Sequence, residues 1–149
     1  MIRDAGSTFS SNQAVTANAV STNSWDTRAT SRWGIGNPLY VIVQCTVTMS
    51  DSGDNSNCTV YLQTSANANM SSATNMQTLG VFATNTAAGT ILGTYGVFIN
   101  PAALNNRYAA LYYSMGTGDL SAGSFTAFVT PDPQAYIAYA RGYTGPTVQ

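Results

Sequence analysis

The chain has 149 residues, 44% of them hydrophobic, but only 7% are charged and the net charge is -1. An ordinary globular domain is about 25% charged, so Ser, Thr, Asn and Gln must solubilise this surface. Every basic residue is Arg, every acidic one is Asp, and no basic run occurs, which leaves nucleic acid and anionic membranes as poor partners.

The length suits one domain spanning residues 1–149, with 1–12 as an N-terminal arm. No apolar run approaches the roughly 20 residues of a membrane span. The N-terminus also lacks the apolar core of a secretory leader. The glycosylation patterns at Asn57-Cys58-Thr59 and Asn69-Met70-Ser71 are therefore expected to stay unused. The first stretch, "FSSNQAVTANAVSTNSWD" (9–26), alternates weakly from Val15 to Val20. It predicts an ordered arm and first strand over Phe9–Val20. Leu39 to Met49 predicts a strong strand, with Leu39, Val41, Val43, Cys45, Val47 and Met49 on one face. "DSGDNSN" (51–57) is turn chemistry, and Cys58–Thr64 reads as the return strand of a hairpin.

Ser65–Asn75 reads as a long loop. Further strands are predicted near Gln77–Phe82, Thr90–Ile99, Arg107–Met115, Gly123–Thr130 and Ala135–Arg141, punctuated by Gly and Pro. Ala102–Asn106 has room for one helical turn. The reading is all-β: a β-sandwich of about eight antiparallel strands, with a jelly roll leading over an immunoglobulin-like sandwich or closed barrel.

Two predicted strands are apolar on both faces. Tyr108, Ala110 and Tyr112 oppose Ala109, Leu111, Tyr113 and Met115; Tyr136, Ala138 and Ala140 oppose Ile137 and Tyr139. A sandwich buries one face of each sheet, so the second face calls for a long loop or a partner chain as cover. Tyr and Met are enriched at interfaces, which favours the partner.

Catalytic chemistry is scarce. Without His, the Ser-His-Asp and Cys-His schemes are missing. Without Lys or Glu, Schiff bases and most carboxylate pairs are missing too. Asp51 and Asp54 share a turn, where Asp makes local backbone bonds; a weak calcium site is the rival reading. Cys45 and Cys58 read as core thiols or as a bridge, and are too few for zinc. "GTGDLSAG" (116–123) reads as a hairpin loop and not a phosphate cradle. Trp25 and Trp33 read as loop anchors, or as a sugar-stacking platform. No enzyme activity, cofactor, metal or small-molecule substrate is expected.

The ordered series Phe9-Ser10, Gln13-Ala14-Val15-Thr16, Ser21-Thr22-Asn23 and Asp26 resembles the start of the jelly-roll capsid cement, or decoration, proteins of tailed bacteriophages, of the Bordetella phage cement type. The similarity continues through "GNPLYVIVQ" (36–44), "VYLQTS" (60–65), "RYAALYYSMGTG" (107–118) and "LSAGSFTAFVTPDPQAYIAYARG" (120–142). "TRATSRWG" (27–34) and "DSGDNSNC" (51–58) depart from it. The resemblance implies a structural virion protein, assembled in the bacterial cytoplasm. It would sit on the outer surface of an icosahedral head as a homodimer, bridging and stabilising the major capsid proteins. Expected contacts are Ile2, Arg3, Asp4 and Phe9 of the arm, Arg28, Arg32 and Trp33 of the next loop, and Tyr108, Tyr112, Tyr136 and Arg141. Arg suits such a surface because its planar fork pairs with carboxylates and stacks on aromatics. The rival reading is a carbohydrate-binding jelly roll of a phage tail or receptor-binding protein.

Overall fold

The alternation around Leu39–Met49 yields the longest strand among the described residues, Leu39–Ser50. The computed structural model describes residues 5–27, 38–53, 55–92, 97–99 and 106–131. Among these residues a 3-10 turn, Ala5–Ser7, leads into nine strand segments. They are β1 (Thr8–Ala14), β2 (Ala19–Val20), β3 (Trp25–Asp26), β4 (Leu39–Ser50), β5 (Cys58–Ser65), β6 (Thr74–Phe82), β7 (Val97–Ile99), β8 (Tyr108–Met115) and β9 (Ala122–Thr130). The strand expected at Ala135–Arg141 lies outside the described residues, as does the turn at Ala102–Asn106 apart from Asn106.

Sheet A has the order β1-β9-β4-β7, and sheet B the order β2-β8-β5-β6 with β3 also on β8. Because β2 and β3 both pair with β8, they are two halves of one interrupted edge strand. The antiparallel pairs β1·β9, β2/β3·β8, β4·β7 and β5·β6 nest inside one another. They form a long hairpin whose tip is β5·β6. Folding that hairpin over brings β4 against β9 and β5 against β8, and so divides it into two sheets. This is the jelly roll, with its sheets packed face to face.

Two local expectations are corrected. Leu39–Ser50 and Cys58–Ser65 are not a hairpin, because β4 belongs to sheet A and β5 to sheet B. Nor is 116–121 a hairpin loop, since it carries the chain from β8 in sheet B to β9 in sheet A. Turn residues mark where a chain reverses; they do not choose the strand it pairs with. The two crossings satisfy each other's backbone instead. Gly116 N–H donates to Asn57 O at 2.9 Å, Thr117 Oγ1 to Asn55 O at 3.2 Å, and Ser56 Oγ to Gly118 O.

The first strand also lies earlier than the weak alternation suggests. β1 carries irregularities between Thr8 and Ser10 and between Ser10 and Gln13. At the first of these, Phe9 and Ser10 both oppose Ala127, so both turn inward and are buried. At the second, Asn12 takes a positive φ of 47°. Each extra residue of a bulge breaks the two-residue period.

The core lies between the sheets. Val41, Val43, Cys45 and Met49 of β4 and Phe125, Ala127 and Val129 of β9 meet Cys58, Val60, Leu62, Leu111 and Tyr113 of sheet B. Phe125 stacks on Tyr113 (centroids 5.1 Å apart, planes at 15°) and tilts against Phe82 at 5.1 Å. Burying each such large side chain contributes roughly 1.5–3 kcal/mol.

A polar chain closes one side of this core. Ser10 Oγ donates to Gln13 Oε1 at 2.7 Å and lies 2.9 Å from Tyr113 Oη. Gln13 Oε1 also accepts from Thr22 N–H at 2.8 Å, and its amide donates to Val20 O at 2.9 Å. Ser21 then bridges to sheet B, donating its N–H to Leu111 O and accepting Leu111 N–H at its hydroxyl. The opening stretch of the sequence is thus the seam between the two sheets. No buried side-chain nitrogen or oxygen among the described residues lacks a partner.

Candidate docking surface

Each sheet has an outer face, and the two differ. On sheet A, Ile42 pairs across from Phe128 on the face turned away from the core. Both are 3% exposed, and Thr126 and Thr130 on the same face are buried as well. The middle of that face is sealed.

The outer face of sheet B is more exposed, although Ala110 on it is buried. Alternation turns Thr59, Tyr61 and Gln63 of β5 and Tyr108, Ala110, Tyr112 and Ser114 of β8 away from the core. Register aligns them into rows. Val20, Tyr112, Tyr61 and Thr78 form one. Ser114, Thr59 and Val81 form the next, and Ala110, Gln63 and Asn75 another. Gln63 and Asn75 are joined by a side-chain hydrogen bond of 2.7 Å. Val81 is 51% exposed and Val20 37%, while the three tyrosines are half-buried. Tyrosine is well suited to such a place, because it combines a rigid apolar ring with a hydroxyl that seeks a partner.

One end of this face carries charge. Asp26 pairs in register with Tyr108, and Arg107 grips the Asp26 carboxylate from Nη2 at 2.8 Å and from Nε at 3.1 and 3.2 Å. The Arg107 guanidinium also sits 5.1 Å from the centroid of the Tyr108 ring. The hydrogen bond and charge of Asp26 push the Arg107 pKa up, holding the pair ionised. Asp26 is the only charged residue in any described strand of either sheet.

Of the expected contact residues, Tyr108 and Tyr112 lie on this face. Phe9 does not: it is 1% exposed and belongs to the core. Ile2, Arg3, Asp4, Arg28, Arg32, Trp33, Tyr136 and Arg141 lie outside the described residues. Tyr61 is a surface residue that the sequence reading passed over. The signal for it was present, since it alternates with the core residues Val60 and Leu62.

The remaining chemical candidates resolve as structural parts. Asp51 Oδ2 accepts the N–H groups of Asn55 and Ser56, as a turn Asp does; Asp54 lies outside the described residues. Trp25 is 6% exposed and sits in the core. Cys45 and Cys58 are free thiols that enter the core from opposite sheets. Burial pushes Cys58 up to about 12, with Cys45 adding to the shift. Burial also raises Cys45, partly offset by a backbone hydrogen bond. Among the described residues no three His, Cys, Asp or Glu side chains gather where they could hold a metal ion.

A family model described as Bbp16 matches residues 9–129, which runs from the first bulge of β1 to the end of β9. No curated protein matches the chain.

Proposed function

The chain belongs to the Bbp16 family, a Bordetella phage protein family, and from that premise we propose that it is a capsid cement protein. It binds the outside of an icosahedral head, bridges neighbouring major capsid proteins and stabilises the shell. The role is non-enzymatic and rests on binding energy alone. The observation that carries this reading is the outer face of sheet B, which bears Tyr61, Tyr108 and Tyr112 in adjoining rows and, among the described residues, one ion pair at its margin, Asp26–Arg107. A stable protein interface buries roughly 1,200–2,000 Å² in total. Many copies on one shell let each contact be modest, because avidity multiplies them.

A glycan-binding tail module is less well supported. It requires Trp25 and Trp33 as a stacking platform, and the Trp25 side chain is committed to the core. Mass spectrometry of purified particles, separated into heads and tails, tests the choice. The chain is expected in heads. Its absence from particles, or its presence in tails alone, overturns the cement reading.

A further inference from the structure

Cys45 and Cys58 enter one apolar cluster from opposite sheets, each 0% exposed. Register sets them near each other. Cys45 pairs with Phe125 in sheet A and Cys58 with Phe82 in sheet B, and those two rings lie 5.1 Å apart between the sheets. A tight turn makes a second link. Thr86 N–H donates to Ala83 O at 3.2 Å, which holds their Cα atoms within about 7 Å. Ala83 directly follows Phe82, and Thr86 O accepts from Cys45 Sγ at 3.7 Å. We propose that these two thiols are an oxidation site: exchange with a small-molecule disulfide closes them into one bond that staples sheet A to sheet B. Facing sheets pack about 10 Å apart and a disulfide needs Cα atoms about 4.4–6.8 Å apart, so a staple belongs where the chain crosses between sheets, as it does here. Antibody sandwiches carry an inter-sheet disulfide too. The mutual effect of the pair agrees with their nearness, since Cys45 adds to the upward shift of Cys58.

The exchange runs in two steps. One cysteine, as thiolate, attacks the small disulfide, forming a mixed disulfide and releasing one small thiolate. The other cysteine then attacks the protein sulfur of that mixed disulfide, closing the Cys45–Cys58 bond and releasing the second. The two protein thiols lose two electrons and two protons, and the small disulfide takes them up as two thiols. Cys45 gives up the hydrogen bond it donates to Val47 O at 3.1 Å. Because both sulfurs are buried, the first step waits for this end of the sandwich to open. On the capsid reading the thiols stay reduced in the host cytoplasm and meet oxidant after release; the chemistry itself needs only this chain.

The test uses the full chain, purified in reductant, then unfolded and refolded with oxidised glutathione. Free thiols counted in denaturant are expected to fall from two to none, with the loss of two hydrogens by intact mass. Cleavage at Asp51 and Asp54, which lie between the cysteines, should leave fragments joined until reductant is added. The oxidised protein should melt about 5–10 °C above the reduced one, because the bond restrains the unfolded chain. Cys58→Ala should show no such difference between oxidised and reduced samples. Two free thiols persisting after refolding with the oxidant overturn the proposal. So do glutathione left on either cysteine, cross-links between chains on a non-reducing gel, or an oxidised form that melts at or below the reduced one. All of these outcomes leave the capsid reading untouched, since the composition of heads and tails decides that.

Discussion

Tyr113 and Ser10 join the two sheets through a hydrogen bond of 2.9 Å whose direction is fixed by their neighbours. The Ser10 hydroxyl already donates to Gln13 Oε1, which can only accept. Tyr113 is therefore the donor and Ser10 the acceptor. Burial pushes the Tyr113 hydroxyl well above its ordinary pKa, opposed in part by Ser10, so it remains protonated and able to donate.

That order predicts unequal costs for the two partners. Tyr113→Phe removes one donor and leaves Ser10 bonded to Gln13, at about 0.5–1.5 kcal/mol. Ser10→Ala leaves the Tyr113 hydroxyl buried without its acceptor, at about 1–3 kcal/mol. Urea denaturation of the two variants should rank them in that order. Equal losses would show that the chain of bonds does not run in this direction.

The buried thiols predict a loss of stability in base. Cys58 ionises near 9 when unfolded and at about 12 when folded. Between those values the unfolded chain releases a proton that the folded chain keeps, so stability falls as pH rises from about 9 towards 12. Cys45 and Tyr113 shift in the same direction and steepen the fall. Denaturation midpoints at about pH 8 and about pH 10.5, below and above the onset near 9, measure it. A Cys58→Ala variant should decline less steeply. Thiol reagents should react only on unfolding, because the thiolate is the reactive form.

Gly80 sits in a bulge of β6 at φ 153°, and an added Cβ there would lie 3.0 Å from Leu92 Cδ1. Gly80→Ala should cost about 1–3 kcal/mol through backbone strain, with some added displacement of Leu92. Gly118→Ala, where no atom lies within 4 Å of the new methyl, is the control and should change stability little. Thermal melts of the pair distinguish a specific backbone requirement from a general cost of removing glycine.

The Asp26–Arg107 pair is exposed enough that its effect on stability should be small and screened by salt. Arg107→Ala is expected to lower the melting temperature slightly at low salt, and the difference should close at high salt. A large loss that persists in high salt would mean that the Tyr108 contact dominates.

Much of the sandwich was legible in the sequence. Leu39–Met49, Arg107–Met115 and Gly123–Thr130 were found within a residue or so of β4, β8 and β9, because core residues such as Leu39, Val41, Val43 and Cys45 repeat every second position; Val47, expected on the same face, is instead 43% exposed, because register shifts on either side of it break the period. The partners of these strands were not legible. "DSGDNSN" has the composition of a hairpin turn, but Asn55 O, Ser56 Oγ and Asn57 O bond to residues 116–118 of the other crossing. β1 was obscured because Phe9 and Asn12 disturb its period. On the candidate surface, Tyr108 and Tyr112 stood out as an apolar second face. Tyr61 was overlooked because its neighbours Thr59 and Gln63 are polar, and only the register sets it beside Tyr112.

The nested pairing also sets the order in which the protein can be made. Thr8 finds its partner only at Phe128, and β4, in the middle of sheet A, must wait for β9. A chain emerging from the ribosome has its first strand, and the apolar edge of β4, ready long before the strand that joins them exists. Pairings this distant in sequence fold slowly, and unpaired apolar edges invite association with other chains. For most of its synthesis, then, the chain carries edges that β9 has yet to close, and the insertion of β9 is what joins β1 to β4.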